Sequence, residues 1–384
     1  MSGEKTTQLR RALGPWTGLP LLFLMMAVGS LLALEGKDVR SGAFLIGDGP
    51  YYASAAVSLW EDHDLDLENQ LRGGLEIHQK QIALGRNGAW VPKHPILMSV
   101  CSAPFYPLFG VGGFLLFNEM VWLVLAVLLW YICRRHVPPA AATLGVVLAL
   151  EATFMRAYQY NFSPDLFSSA LVLGGILLLL RRRDLAGGLT LGLSTLAKVT
   201  NLFLALLAVA LLGLRKPRTG SVRACAGLAP GVGLWMAVNL AMFGGLATTG
   251  YDRTLVLQDG SPAVVSHKGF FDVPVLQGAK GQLLDPRAGL LTTSPLLLLA
   301  LPGFVLLFRR DRWEALFIVG ICEFLFLLFS TYRWWSTSHY GNRFLMVPVA
   351  LMALPMSLVL DRLGKTLLRW MNPSRAPLLA SDGR

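Results

Sequence analysis

Long apolar stretches alternate with short basic loops along this chain. Residues 18–34, 111–133, 140–155, 166–180, 185–197, 201–214, 224–243, 290–308, 313–332 and 344–360 form apolar segments. Each is long enough to cross much of a hydrocarbon core of about 30 Å. The loops "CRRH" (133–136), "RRRD" (181–184), "RKPR" (215–218) and "RRDR" (309–312) hold Lys and Arg with few acids. The positive-inside rule places these loops and both termini in the cytoplasm. The pattern predicts an all-α polytopic membrane protein of about ten transmembrane helices.

This reading divides the chain into a cytoplasmic N-terminus (1–17), one integrated transmembrane domain (18–363) and a cytoplasmic tail (364–384). The end of the tail is expected to be disordered. Two larger loops fall outside, about 35–96 and 244–287. The stretch "PILMSVCSAPFYPLFGVGG" (95–113) is apolar but broken by Pro104 and Pro107. It reads as a re-entrant or interfacial piece, or as a further span. The first apolar run has a basic lead (Lys5, Arg10, Arg11) but no small-x-small cleavage site after it, as an uncleaved signal anchor would.

Composition agrees with this class. Hydrophobic residues make up 54% of the chain and charged residues 15%, against about 25% charged in soluble domains. The formal charge of +11 over 384 residues resides mostly in the cytoplasmic loops and termini. It is a topology signal, and nucleic acid is not expected as a partner. Cys101, Cys133, Cys225 and Cys322 are scattered without CxxC spacing and read as small hydrophobes.

The polar residues that interrupt this pattern gather in the outer loops. The first loop contains "IGDGPYYASAAVSLWEDHDLDLENQ" (46–70). Pro50 suits the first turn of a helix. Tyr51, Ala55, Ala56 and Leu59 recur at helical spacing, and Trp60 suits an interface. The stretch therefore predicts an interfacial helix starting after Asp48. Asp48 either caps that helix or takes part in chemistry, and the flanking Gly47 and Gly49 suggest close approach of a ligand to the backbone. Asp62, Asp64 and Asp66 open like a calcium loop. However, Leu67 stands where the loop needs Gly, and Gly73 where it needs Glu. A solvated loop is the simpler reading; a divalent metal on these acids is the alternative.

Lys93 and His94 lie where the chain re-enters the membrane, Lys198 at a hairpin tip, and Arg333, Trp334, Trp335, His339, Tyr340 and Arg343 outside the last two segments. Each alone could be an interfacial anchor. Together the cations suit a phosphate, and the aromatic residues suit a sugar ring. Glu119, Glu151 and Glu323 lie within apolar segments, where carboxylates are functional suspects. Asp165, after Ser163 and Pro164, reads first as a helix cap.

The ordered motifs "GDGPYYASAAVSLWEDHDLDLEN", "KHPILMSVCSAPFYPLFG", "SPDLFSSALVLGGILLL", "AGGLTLGLSTLAKVTNLFLAL", "NLAMFGGLATTGYD", "LLDPRAGLLTTSPLLLLALPG" and "YRWWSTSHYGNRFLMVPVALM" resemble the GT-C superfamily of polytopic glycosyltransferases along residues 18 to 363. The resemblance implies transfer of a sugar from a polyprenyl-phosphate donor to an extracytoplasmic glycan, lipid or protein acceptor. It implies a plasma-membrane enzyme whose first-loop acid, here Asp48, is the general base. Lys93, Lys198, Arg333 and Arg343 become candidates for the donor phosphate. Tyr51, Tyr52, His94, Trp334, Trp335, His339 and Tyr340 become candidates for sugar or acceptor. The family often carries a second acid beside the first; Gly49 stands there in this chain. Two rivals fit the same composition. A transporter or lipid flippase would depend on Glu151 and Glu323, and a non-catalytic assembly subunit on none of these residues.

Overall fold

The computed structural model of the protein describes residues 18–72, 81–215, 218–258, 261–266, 270–336 and 340–371. The chain opens with helix α1 (Leu19–Leu34), followed by α2 (Gly49–Glu61), α3 (Glu68–Arg72), strands β1 (Ile82–Leu84) and β2 (Trp90–Pro92), α4 (Leu97–Ser102) and α5 (Tyr106–Phe109). Next come α6 (Gly112–Cys133), α7 (Pro139–Glu151), α8 (Pro164–Leu180), α9 (Asp184–Ser194), α10 (Asn201–Gly213) and α11 (Thr219–Phe243). The last part holds β3 (Thr254–Gln258), β4 (Ser261–Val265), α12 (Val275–Leu284), α13 (Leu290–Thr293), α14 (Ala300–Arg310), α15 (Arg312–Ser330), α16 (Met346–Leu351) and α17 (Ala353–Met371).

Among the described residues, α6, α11, α15 and the run Arg343–Met371 are long and apolar enough to cross a bilayer. α1, α7, α8 and α10 are shorter apolar helices. The expected span at 290–308 is not one helix. Ser294 precedes Pro295 and leaves helical geometry, because a residue before proline is pushed out of the α region. The 95–113 stretch is likewise broken into α4, a 3-10 turn at Ala103–Phe105 and α5.

Large side chains such as Leu24, Leu31, Phe203, Leu206 and Leu301 point out of the bundle, as they do where lipid replaces water. Between helices, small residues allow close approach. A side chain on Gly188 or Gly227 would clash with the backbone of the partner helix, so α9 and α11 pack backbone to backbone. Gly145 and Gly303 do the same for α17 against α7 and α14.

Two of the suspect intramembrane acids are absorbed by this packing. Ser30 Oγ donates to Glu119 Oε2 at 2.6 Å, and Trp122 Nε1 and Gln159 Nε2 each donate to Glu151 Oε1 at 3.3 Å. They fasten α1, α6 and α7 to the turn before α8. Glu323, in contrast, lies exposed on the outer face of α15. At one end of the bundle, Glu314 is fully buried and accepts from Arg135 Nη2 at 2.8 Å, with His136 Nε2 3.1 Å away. This joins the end of α6 to the start of α15.

The fold departs from the all-α expectation at the other end. There, β1 pairs with β2 and with β3, and β3 pairs with β4, in one antiparallel sheet ordered β2-β1-β3-β4. The sheet is built from both long loops, with Ala83 opposite Thr254. A sequence reading treats each loop separately, and the two halves of this sheet lie far apart in the chain. Tying them together brings the residues just after β2 against those just before β3.

Candidate functional site

Asp48 occupies the N-cap position of α2, but its side chain makes no capping hydrogen bond. The backbone carbonyl alone accepts from Tyr51 and Tyr52. The carboxylate turns instead to Arg343, with Oδ2 3.0 Å from Nη2. The neighbouring glycines have local reasons. Gly47 takes a positive φ of 63°, and a side chain on Gly49 would crowd the Phe162 carbonyl at 3.1 Å. The glycines thus serve the turn and the packing. α2 is also more enclosed than an interfacial helix: Tyr51, Tyr52, Ser54 and Ala55 are all buried, while Trp60 is exposed.

Arg343 begins a short 3-10 turn, Arg343–Leu345. Asn342 caps this turn by accepting from Phe344 N at 3.1 Å, and donates to Gln282 Oε1 at 2.9 Å. Its guanidinium serves two acids. Nε lies 3.4 Å from Asp165 Oδ2, an ion pair that is not aligned as a hydrogen bond.

Asp165 stands where a helix cap is expected, but Ser163 performs that role by accepting from Leu166 N at 3.3 Å. The buried Asp165 carboxylate is thereby freed to meet Lys198 Nζ at 2.5 Å. Lys198 sits in the turn between α9 and α10, 4.6 Å from the centre of the Phe344 ring. The order is therefore Asp48, Arg343, Asp165, Lys198, with charges alternating along the chain of contacts.

Lys93 and His94 follow β2, and Tyr251 precedes β3, so the sheet sets them side by side. His94 Nε2 faces Gln81 Oε1 at 2.8 Å, and Nδ1 faces the Tyr251 hydroxyl at 3.0 Å. A carbonyl oxygen can only accept, so Nε2 carries the proton and Nδ1 accepts from Tyr251. The ring stacks on Tyr52, with centroids 5.5 Å apart. Lys93 lies over the Tyr251 ring at 5.1 Å.

Electrostatics sort these groups. Burial pulls the His94 pKa down to about 4, outweighing the opposing pull of Asp48. His94 is neutral at physiological pH, so its 3.9 Å approach to Asp48 is not an ion pair. Burial also lowers Lys93 to about 8, against the opposing pull of Asp48. For Asp48 itself, burial raises the pKa, but Arg343, His94 and Lys93 together overcome it and hold the carboxyl below its ordinary value. Burial, with the nearby Asp48 charge, keeps Tyr251 protonated well above its usual range. Near neutral pH, Arg343, Lys198 and Lys93 face Asp48 and Asp165, leaving one excess positive charge.

Beside this cluster, Lys93, His94 and Tyr251 border a small cavity of about 20 Å³. Its other wall is apolar, formed by Leu196, Val199, Trp235 and Met242. Polar and apolar side chains thus share its lining.

The remaining predicted residues are distributed differently. Arg333 does not join the cluster; it pairs with Asp272 at an exposed position. Trp334 is exposed and meets the edge of Phe270 at 5.8 Å. Trp335 is buried over Gly281. Tyr340 contributes its carbonyl, which accepts from the Tyr158 hydroxyl at 3.2 Å. His339 lies outside the described residues. Tyr51 is buried within α2. Asp62, Asp64 and Asp66 fold the loop onto itself. Asp62 accepts from the side-chain amides of Asn69 and Gln70, Asp64 from Ser58 Oγ at 2.9 Å, and Asp66 from Trp90 N at 3.2 Å. Their carboxylates serve the loop, and no group of three or more His, Cys, Asp or Glu fit to hold a metal forms among the described residues. Sequence reasoning missed Tyr251 and Gln81, and underrated Asp165. The Ser-Pro before Asp165 was the available signal, since a serine cap leaves a following acid unemployed.

No family model matches the chain, and no curated protein sequence matches it. Solved structures do. ArnT from Cupriavidus metallidurans bound to undecaprenyl phosphate superposes with a TM-score of 0.55 at 16% identity, covering 94% of this chain and 64% of ArnT. Its apo state gives 0.57 at 15% identity, over 96% and 65%. The apo oligosaccharyltransferase of Archaeoglobus fulgidus gives 0.55 at 10% identity, over 94% and 52%. This chain therefore spans less than two thirds of the length of these proteins. The chain shares the fold of ArnT and of the archaeal oligosaccharyltransferase, and four of its described helices are long and apolar enough to cross a membrane.

Proposed function

We propose that this protein is a membrane glycosyltransferase that moves a sugar from a polyprenyl-phosphate donor to an acceptor hydroxyl on the extracytoplasmic side. The observation that carries this reading is the Asp48–Arg343–Asp165–Lys198 chain of alternating charge, set beside Lys93 in a GT-C fold. The structure of ArnT with undecaprenyl phosphate supports a polyprenyl-phosphate partner.

The donor phosphate would lie against Arg343 and Lys93, with its tail toward the apolar wall of Leu196, Val199 and Trp235. Arg343 Nε has no hydrogen-bond acceptor, and a guanidinium binds phosphate by paired hydrogen bonds. The excess positive charge at the cluster suits a dianion or monoanion of phosphate. The small cavity must widen for the lipid, which requires movement of Trp235 or its neighbours.

Asp48 is the general base. While paired with Arg343 its low pKa makes it a weak one. A phosphate that draws Arg343 away would raise the Asp48 pKa, so donor binding itself would activate the base. The acceptor oxygen then attacks the anomeric carbon opposite the phosphate. The new carbon–oxygen bond forms as the bond to the phosphate oxygen breaks, and the acceptor proton passes to Asp48. The configuration inverts. Arg343 and Lys93 hold the phosphate charge that develops. Asp165 and Lys198 position Arg343 from its other side. No step is assigned to a metal.

The test is to incubate the full chain in nanodiscs with labelled polyprenyl-phosphate sugars and a cell-envelope extract. Transfer of label with release of polyprenyl phosphate is the expected result. In sealed proteoliposomes, movement of the donor across the bilayer without transfer would favour a flippase instead.

A further inference from the structure

Behind α2, away from the Asp48 cluster, lies a cleft of about 360 Å³. That lies within the range of small-molecule clefts, roughly 300–1,000 Å³. Leu45, Val57 and Val111 line its apolar part, and Ser54, Glu61, Asn69 and Tyr106 its polar part. Tyr106, stacked nearly parallel on the buried Phe114 at 5.9 Å, gives the cleft an aromatic face. Glu61 faces the Tyr106 hydroxyl. Asp62 accepts from the side-chain amides of both Asn69 and Gln70. This fixes which way the amides point.

The chemistry of the lining selects its ligand. Among the described residues it offers the Tyr106 ring, the Glu61 carboxylate and aliphatic side chains, and no Lys or Arg. A phosphate or carboxylate ligand would meet repulsion from Glu61. A ring that carries hydroxyl or amino groups on its edge and C–H groups on its face suits this lining, because C–H faces pack on an aromatic ring while hydroxyls donate to Glu61. We propose that this cleft binds a neutral or amino-bearing sugar ring. Its role would be to hold a distal unit of the acceptor, and that role rests on the transferase reading, whereas the binding itself does not. The placement suits it. At 1.5 Å per residue, Ser54 lies about 9 Å and Glu61 about 20 Å along α2 from Asp48, a reach matched by a short glycan or a glycolipid headgroup running beside the helix.

The experiment uses the full chain in phosphatidylcholine nanodiscs and saturation-transfer NMR with methyl glycosides of glucose, galactose, mannose and glucosamine. At least one is expected to bind, with inorganic phosphate failing to displace it. Tyr106→Ala and Glu61→Gln are expected to weaken binding at least fivefold, and Asp48→Asn to leave it unchanged. Val57→Trp, which fills the cleft without removing a polar group, is a second variant expected to abolish binding in a folded protein. Displacement by a glucosyl diacylglycerol in the nanodisc supports a glycolipid source, and displacement by a soluble oligosaccharide supports a glycan; both uphold the site. Absence of binding by every glycoside, or binding that survives both Tyr106→Ala and Val57→Trp, overturns the proposal. If glycosides bind but no transfer occurs from a polyprenyl-phosphate donor, the cleft stands and the transferase reading fails.

Discussion

Asp48 and Arg343 meet at 3.0 Å although one precedes α2 and the other precedes α16, near the opposite end of the chain. The first acidic loop and the last apolar segment are thus parts of one site. This relationship makes Asp48 more than a helix cap, and gives Arg343 two acids to hold.

Arg343→Ala should therefore be severe in two ways. It leaves Asp48 and Asp165 without their shared cation, and breaking a buried pair costs about 3–5 kcal/mol. A lower midpoint of thermal unfolding and loss of donor binding are both expected. Arg343→Lys keeps the charge but loses the planar fork. It should fold, with kcat/KM for the donor reduced more than tenfold. Unchanged donor kinetics in the Lys variant would remove Arg343 from phosphate binding.

Lys93 gives a pH signature. With its pKa at about 8, it loses its charge as pH rises through 8 in the folded protein. The KM for the donor should rise above that pH. Lys93→Arg stays charged and should remove this alkaline limb. The same shift predicts the opposite trend in stability. Between pH 8 and about 10.5 the unfolded lysine holds a proton that the folded one has released, so this group's contribution to stability grows with pH over that window. A KM profile flat to pH 9.5 in the wild type would contradict the assignment.

His94 should not contribute a limb near neutrality, since its folded pKa is about 4. Its effect appears in stability. From about pH 6.5 down to 4 the unfolded ring takes up a proton and the folded ring does not, so stability falls as the pH falls. His94→Gln should flatten that part of the curve of unfolding temperature against pH. An unaltered slope would mean that His94 is not buried in its neutral form.

Glu314 tests the far end of the bundle. Its buried carboxylate joins α6 to α15 through Arg135 and His136. Glu314→Gln should lower stability by about 3 kcal/mol while leaving kcat per folded molecule near that of the wild type. A specific loss of kcat without loss of stability would point to coupling along the bundle instead.

The mostly helical fold with membrane-length apolar helices was legible in the sequence, because lipid imposes long apolar runs. The helix after Asp48 was announced by Pro50 and by the spacing of Tyr51, Ala55 and Ala56. The four-stranded sheet was not legible, since Ala83 and Thr254 are partners only in space. For the same reason Tyr251 went unnoticed beside His94. Asp165 was obscured by its position, which looks like a cap until Ser163 is seen to fill that role. Arg333 and Arg343 look equivalent in "YRWWSTSHYGNRF". What separates them is the turn capped by Asn342, which directs Arg343 inward, while Arg333 finds Asp272 at the surface.

The most direct measurement is single-turnover transfer from a labelled polyprenyl-phosphate sugar by the wild type and by Asp48→Asn, each in nanodiscs, with donor binding measured in parallel. The isosteric amide keeps the shape of the site but cannot take the proton. The account expects donor binding within a few-fold of the wild type and a transfer rate lower by about 10²–10⁴. Transfer at the wild-type rate in Asp48→Asn would contradict it.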